Sequence, residues 1–126
     1  MSAIVETRTA KVYLDQEGII RNYDFPGLEH HLADAEENVA AYYKVAEGAR
    51  RPLFVDMSQV RSVKREARAY YGGATTAGVV SAVALLVGSP LSAAIANFFL
   101  GLNKTTMPSK LFTSEEAAFD WLRKHK

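Results

Sequence analysis

The chain has 126 residues, enough for one domain with a real core and too few for two. Its formal net charge is +1 with acids and bases interleaved, which argues against a dedicated nucleic-acid binder, and a hydrophobic content of 48% excludes disorder. There is no cysteine, so disulfides, thiolate catalysis and thiolate metal sites are excluded, and the start lacks an apolar signal core, so the expected location is cytoplasmic.

Residues 4–14 alternate, with Ala10, Val12 and Leu14 on one face against Lys11 and Tyr13 on the other, the pattern of a half-buried strand. Asp15-Gln16-Glu17-Gly18 reads as a tight reversal in which Gly18 supplies a positive φ, and residues 19–24 return as an antiparallel strand. Pro26-Gly27 stops that strand. Over residues 28–47, Leu28, Leu32, Ala35, Val39, Tyr42 or Tyr43, and Ala46 recur at steps of three and four. That spacing predicts an amphipathic helix with an acidic outer face of Asp34, Glu36 and Glu37, ended by Gly48. Residues 52–56 read as a short buried strand, and a weaker helix follows over 64–71.

No charged side chain lies between Arg68 and Lys104. A run of that length either crosses a membrane or fills the interior of a small domain. A membrane helix needs ~20 uninterrupted apolar residues. Here Gly72-Gly73, Thr75-Thr76, Gly78 and Gly88-Ser89-Pro90 break the run, so no membrane span is expected. The pieces are a β-branched strand over 79–87 and a helix over 90–102, with Ser89 as its N-cap and Pro90 at its first position. Residues 110–112 read as a last strand. Thr113 and Glu116 match a capping box for a closing helix that runs to about residue 124 and buries Ala118, Trp121 and Leu122.

The order β-β-α-β-α-β-α-β-α implies an α/β fold of about five strands and four helices, parallel after the first hairpin and with right-handed crossovers. If each strand adds beside its predecessor, the crossover helices share one face of the sheet. Residues 53–55 and 83–87 are nonetheless apolar at every position, so the second face must be covered too, at least in part.

That order, with the segment Leu53-Phe54-Val55-Asp56-Met57-Ser58-Gln59-Val60, resembles the STAS family, typified by bacterial anti-sigma-factor antagonists. There the third strand runs into an Asp-Leu-Ser-x-Val-like sequence before a helix. A group of small bacterial STAS-like proteins is similar through Ala67-Arg68-Ala69-Tyr70, Ala84-Leu85-Leu86-Val87, Asn97-Phe98-Phe99 and Ala118-x-x-Trp121-Leu122. The resemblance spans essentially the whole chain and implies a single STAS-like domain over 1–126 with a single-wound sheet. The antagonists place Asp-Ser-Ser-Gly at the start of the next helix, where a partner kinase phosphorylates a serine. Here those positions fall near Lys64-Arg65-Glu66-Ala67, without a hydroxyl, so neither that switch nor binding to an anti-sigma kinase is expected.

In a parallel sheet the loops leaving the carboxyl ends of the strands converge on one edge, where ligands sit. That edge would gather His30, His31, Asp56, Ser58, Ser89, Thr113 and Ser114. A hydrolase-like site with His31 and Asp56 is one reading. The simpler one makes Asp56 and Ser58 turn caps, Ser89 and Thr113 helix caps, and adjacent histidines diverge around a helix. No catalytic residue, cofactor or metal site is therefore assigned; His30 and Asp34 lie four apart, but no spacing specifies a third ligand. The ligand-binding candidates are Asp56, Ser58, Arg61 and Ser89, with an anion at the helix N-terminus behind Ser89 and Arg65 and Arg68 nearby. A solvated basic face is the alternative.

Along residues 90–102, Leu91, Ile95, Phe98 and Leu102 form a core-facing stripe, and Ala93, Ala94, Ala96, Phe99 and Leu100 fill much of the remainder. A helix apolar all round is buried all round. Ala93, Ala96, Phe99 and Leu100 are therefore expected to meet a second subunit, a protein partner or an apolar ligand; the alternative is that neighbouring helices of the same domain bury them entirely. The expected function is a non-enzymatic interaction or regulatory module that self-associates, most simply as a dimer. The alternative is a carrier or sensor of an apolar or anionic small molecule, held between helix 90–102 and the sheet as in the distantly similar CRAL-TRIO lipid carriers.

Overall fold

In the computed structural model, which describes residues 3–88, 94 and 107–126, the chain opens as a meander and not as one long strand. Strand β1 (Val5–Glu6) turns back antiparallel onto β2 (Ala10–Leu14) because the Thr7 hydroxyl accepts the backbone N–H groups of Thr9 and Ala10, at 3.3 and 3.0 Å. The expected single strand over 4–14 is thus two. The next reversal is as expected: Asp15 Oδ1 accepts from the N–H groups of Glu17 and Ile19, Gly18 sits at φ 81°, and β3 (Ile20–Asp24) returns antiparallel.

The long helix begins later than its apolar spacing suggests. Residues 29–30 form a two-residue strand, β4 (Glu29–His30), and α1 runs Leu32–Val45. Asp34 sets that start, since its Oδ2 accepts the His31 N–H at 2.8 Å. Asp34 is also buried instead of lying on an acidic outer face, because Arg8 binds both of its oxygens, at 2.7 and 2.6 Å. Leu32, expected in the core, is exposed.

Strand β5 (Arg51–Asp56), the short β6 (Ser62–Val63), α2 (Arg65–Tyr71), a single turn α3 (Ala74–Ala77) and β7 (Val80–Leu86) follow. The sequence pattern misses β6 and α3. The helix expected over 90–102 lies outside the described residues except for Ala94, which is helical and exposed. Strand β8 (Ser109–Phe112) leads into α4 (Glu115–Arg123). Its N-cap is Ser114, whose Oγ accepts from the Ala117 N–H, so the cap stands one residue beyond the expected Thr113; Trp121, expected buried, is half-buried.

Among the described residues one sheet runs β1-β2-β3-β5-β7-β8, antiparallel over its first three strands and parallel from β3 onward, so each strand adds beside its predecessor. A two-stranded parallel ribbon, β4-β6, stands apart from it. Alternation along the buried strands separates two cores. Ile20, Leu53, Val83 and Leu85 meet Val39, Tyr42 and Val45 of α1 on one face. Ile19, Phe54, Ala82 and Ala84 meet Ala118, Phe119 and Leu122 of α4 on the other. The cover that the doubly apolar strands demand is therefore α4. It follows the last strand, so no return to the sheet forces it onto the crossover face.

Candidate functional site

The site begins with an irregularity on β3. Ile20, Asn22 and Asp24 are two apart and share one face, and Ile20 belongs to the core. Asn22 and Asp24 must therefore be buried polar groups, and such groups need partners. Asn22 is satisfied on both sides: Tyr42 Oη donates to its Oδ1 at 2.8 Å, and its Nδ2 donates to Asp24 Oδ1 at 2.7 Å. Asp24 stands at the carboxyl end of β3, its side chain only 6% exposed.

His30 faces it from the ribbon. The β4-β6 pairing, extended by the Lys64 N–H to His30 carbonyl bond at 2.9 Å, holds His30 beside that same edge. Its Nδ1 lies 3.0 Å from Tyr71 Oη, which accepts from Asn38 Nδ2 at 2.8 Å; Asn38 Nδ2 also reaches Thr9 Oγ1, and Asn38 Oδ1 accepts from Thr7 Oγ1 at 2.6 Å. A buried polar chain thus runs from the first turn through α1 and α2 to His30. On its other ring nitrogen the chain stops. His30 Nε2 is buried with no hydrogen-bond partner among the described residues, and Asp24 Oδ1 lies 3.9 Å away, beyond hydrogen-bonding reach.

These two groups border a cavity of about 70 Å³. Its walls among the described residues are mostly apolar, with Leu53, Val55, Met57, Val83, Leu85 and Met107 beside Tyr42, Tyr71, Thr76 and Ser109. The space exceeds the roughly 10–15 Å³ that one water molecule needs. The cavity thus has one polar end and a greasy body.

Burial sets the charge of that polar end. It pushes the Asp24 carboxyl up to about 8, helped by the neighbouring Asp56 charge and opposed by the Asn22 amide. It also pulls the His30 imidazole down to about 4, where Asp34 opposes the shift and Arg8 and His31 add to it. At neutral pH both groups are uncharged. Asp34 contrasts with them, since the Arg8 guanidinium holds its carboxyl down at about 2.

Asp56 closes a tight turn at the end of β5, its Oδ1 accepting from the Ser58 N–H at 3.0 Å and the Ser58 hydroxyl at 2.6 Å. That turn abuts the end of β7 so closely that a Cβ on Gly88 would lie 3.0 Å from Ser58 Cβ. Arg61 is exposed, its N–H bonded to the Leu28 carbonyl. His31 is also exposed and pairs with Glu29 at 3.3 Å, whereas the Asp56 carboxylate is held by Ser58. Ser89 and the interface candidates Ala93, Ala96, Phe99 and Leu100 lie outside the described residues. Lys64, at the position of the antagonists' motif, is the N-cap of α2 and bonds through its backbone. His30 was foreseen at this edge; Asp24, Asn22, Asn38, Tyr42 and Tyr71 were not.

The model of a domain of unknown function (DUF7793) matches residues 7–126, and the chain belongs to that family. Among solved structures, an uncharacterised protein of the DUF3478 family with a SpoIIAA-like fold, from Shewanella loihica PV-4, matches with a TM-score of 0.51 at 18% identity, covering 97% of this chain and 92% of that one. The likeness shows the fold, and it is the STAS architecture expected from the sequence. A protein of unknown function from Arthrobacter sp. FB24 matches at 36% identity with a TM-score of 0.34, over 94% of this chain and 95% of that one. Curated proteins include no match. No described helix is long and apolar enough to cross a membrane.

Proposed function

We propose that this member of the DUF7793 family is a non-enzymatic STAS-like binding module that takes a small, predominantly apolar molecule into the cavity beside His30 and Asp24. One observation carries the reading: a buried imidazole nitrogen without a partner among the described residues, at the polar end of an apolar cavity. A buried polar atom left unpaired costs about 1–3 kcal/mol. A ligand that pairs it and fills the space recovers that energy and adds apolar contact. The pair supplies hydrogen bonds in preference to proton abstraction, because His30, near 4, is a weak base at neutral pH and Asp24 ionises only towards 8.

Xenon tests the reading, since it enters dry apolar cavities without needing a polar partner. Xenon-dependent shifts of the Val55, Val83 and Leu85 methyl resonances support it, and methyls that do not respond refute it. Self-association through Ala93, Ala96, Phe99 and Leu100 is proposed alongside, on the all-round apolar character of residues 90–102. Mass in solution tests that separately.

A further inference from the structure

We propose that the ligand of this cavity carries one uncharged hydroxyl on a short hydrocarbon body, and that the hydroxyl bridges His30 Nε2 and Asp24 Oδ1. The inference rests on the binding reading above and names the chemical class that the site would accept. Its first support is geometric. The two atoms are 3.9 Å apart, both on side chains at least nine-tenths buried. An oxygen about 2.8 Å from each would subtend an angle of roughly 90° between them, within reach of a hydroxyl's donor and acceptor directions.

The second support is the hydrogen-bonding character of the pair. If Tyr71 Oη donates to His30 Nδ1, then Nε2 carries the proton; if Nδ1 donates, Nε2 is an acceptor. A protonated Asp24 both donates and accepts. A hydroxyl does both as well, so it complements either tautomer. An ammonium only donates, and a carboxylate only accepts.

The third support is the cost of charge. A carboxylate ligand would sit beside Asp24, with Asp56 near it, while Arg8 is committed to Asp34 in a two-point pair. An ammonium would have to shed its water and ionise Asp24 in an apolar pocket. Burying two ions costs several kcal/mol before their attraction returns any of it. A neutral head incurs neither cost. Size then limits the body: the cavity, at about 70 Å³, is on the order of half the 150 Å³ engineered apolar cavity that admits benzene. The body is therefore short, on the order of a few carbons.

The test titrates the intact protein at pH 6.5 with butan-1-ol, 1-chlorobutane, butylamine and butyrate, followed by NMR. Butan-1-ol is expected to bind about tenfold tighter than 1-chlorobutane, the value of pairing the otherwise unpaired His30 Nε2. It should also move the His30 Nε2 resonance, which 1-chlorobutane should leave in place. Asp24→Asn keeps a donor and an acceptor and should hold the preference within about threefold. His30→Phe should abolish the preference while 1-chlorobutane still binds. Should that variant fail to fold, the wild-type Nε2 shift decides. Equal binding of alcohol and chloride overturns the hydroxyl assignment but leaves the cavity reading intact. Tighter binding of butylamine or butyrate overturns it in favour of a charged ligand. Failure of all four probes and of xenon removes the cavity reading itself.

Discussion

Asp24→Asn is the substitution from which the electrostatics of the site are most readily read, because Asp24 and His30 push stability in opposite directions as pH changes. The Asp24 carboxyl is raised from its ordinary 3.8 to about 8, so the folded chain holds a proton that the unfolded chain releases. Its contribution is fully present below 3.8 and is lost as pH rises to about 8. His30 is lowered from 6.5 to about 4, so its contribution is fully present above 6.5 and is lost as pH falls through about 4. Between about 4 and 6.5 the two slopes offset each other. From 6.5 to about 8 only the Asp24 slope remains, near 1.4 kcal/mol per pH unit, or about 2 kcal/mol in all. Asp34, held down at about 2, titrates below this window. Urea unfolding followed by circular dichroism at pH 5, 6.5 and 8 should therefore show the parent level and then falling. Asp24→Asn should rise by about 2 kcal/mol from pH 5 to 6.5, where His30 acts alone, and stay level to pH 8. Parallel profiles for the two proteins would refute this picture of a neutral buried carboxyl.

Phe54→Ala should cost about 3–5 kcal/mol in urea unfolding, since Phe54 is fully buried under α4, with ring centroids 4.6 Å from Phe119 and 5.7 Å from Tyr23. A loss under 1 kcal/mol would mean that α4 does not cover this face. Tyr42→Phe removes the hydroxyl that satisfies Asn22 Oδ1 and should destabilise by about 1–3 kcal/mol, measured the same way. Phe99→Glu should convert an oligomer into folded monomers by light scattering; a parent that is already monomeric ends the self-association proposal.

The arrangement of strands was legible because chain order and apolar continuity constrain it jointly. Residues 53–55 and 83–87 are apolar on both faces, and that pattern pointed to a second cover, which proved to be α4. Short-range hydrogen bonding was harder to read. A two-residue ribbon such as β4-β6 has no periodicity to detect, and its pairing of Glu29 with Ser62 crosses 33 positions of sequence. Asp34 looked like a solvated helix acid because its partner, Arg8, is 26 positions away. The site itself left one signal that went unused. Asn22 and Asp24 occupy the inward positions of a strand whose third member is Ile20, and polar residues there announce a buried network. Asn38 gives the same signal on α1, lying three beyond Ala35 and four before Tyr42 on the buried stripe.

A crystal of the protein soaked in butan-1-ol examines the binding claim at the atoms concerned. The expected result is one alcohol molecule in the cavity, its oxygen within about 3 Å of both His30 Nε2 and Asp24 and its carbons against Val55, Val83 and Leu85. A cavity already filled by the protein's own side chains, or a His30 Nε2 bonded to another residue of the chain, would contradict it.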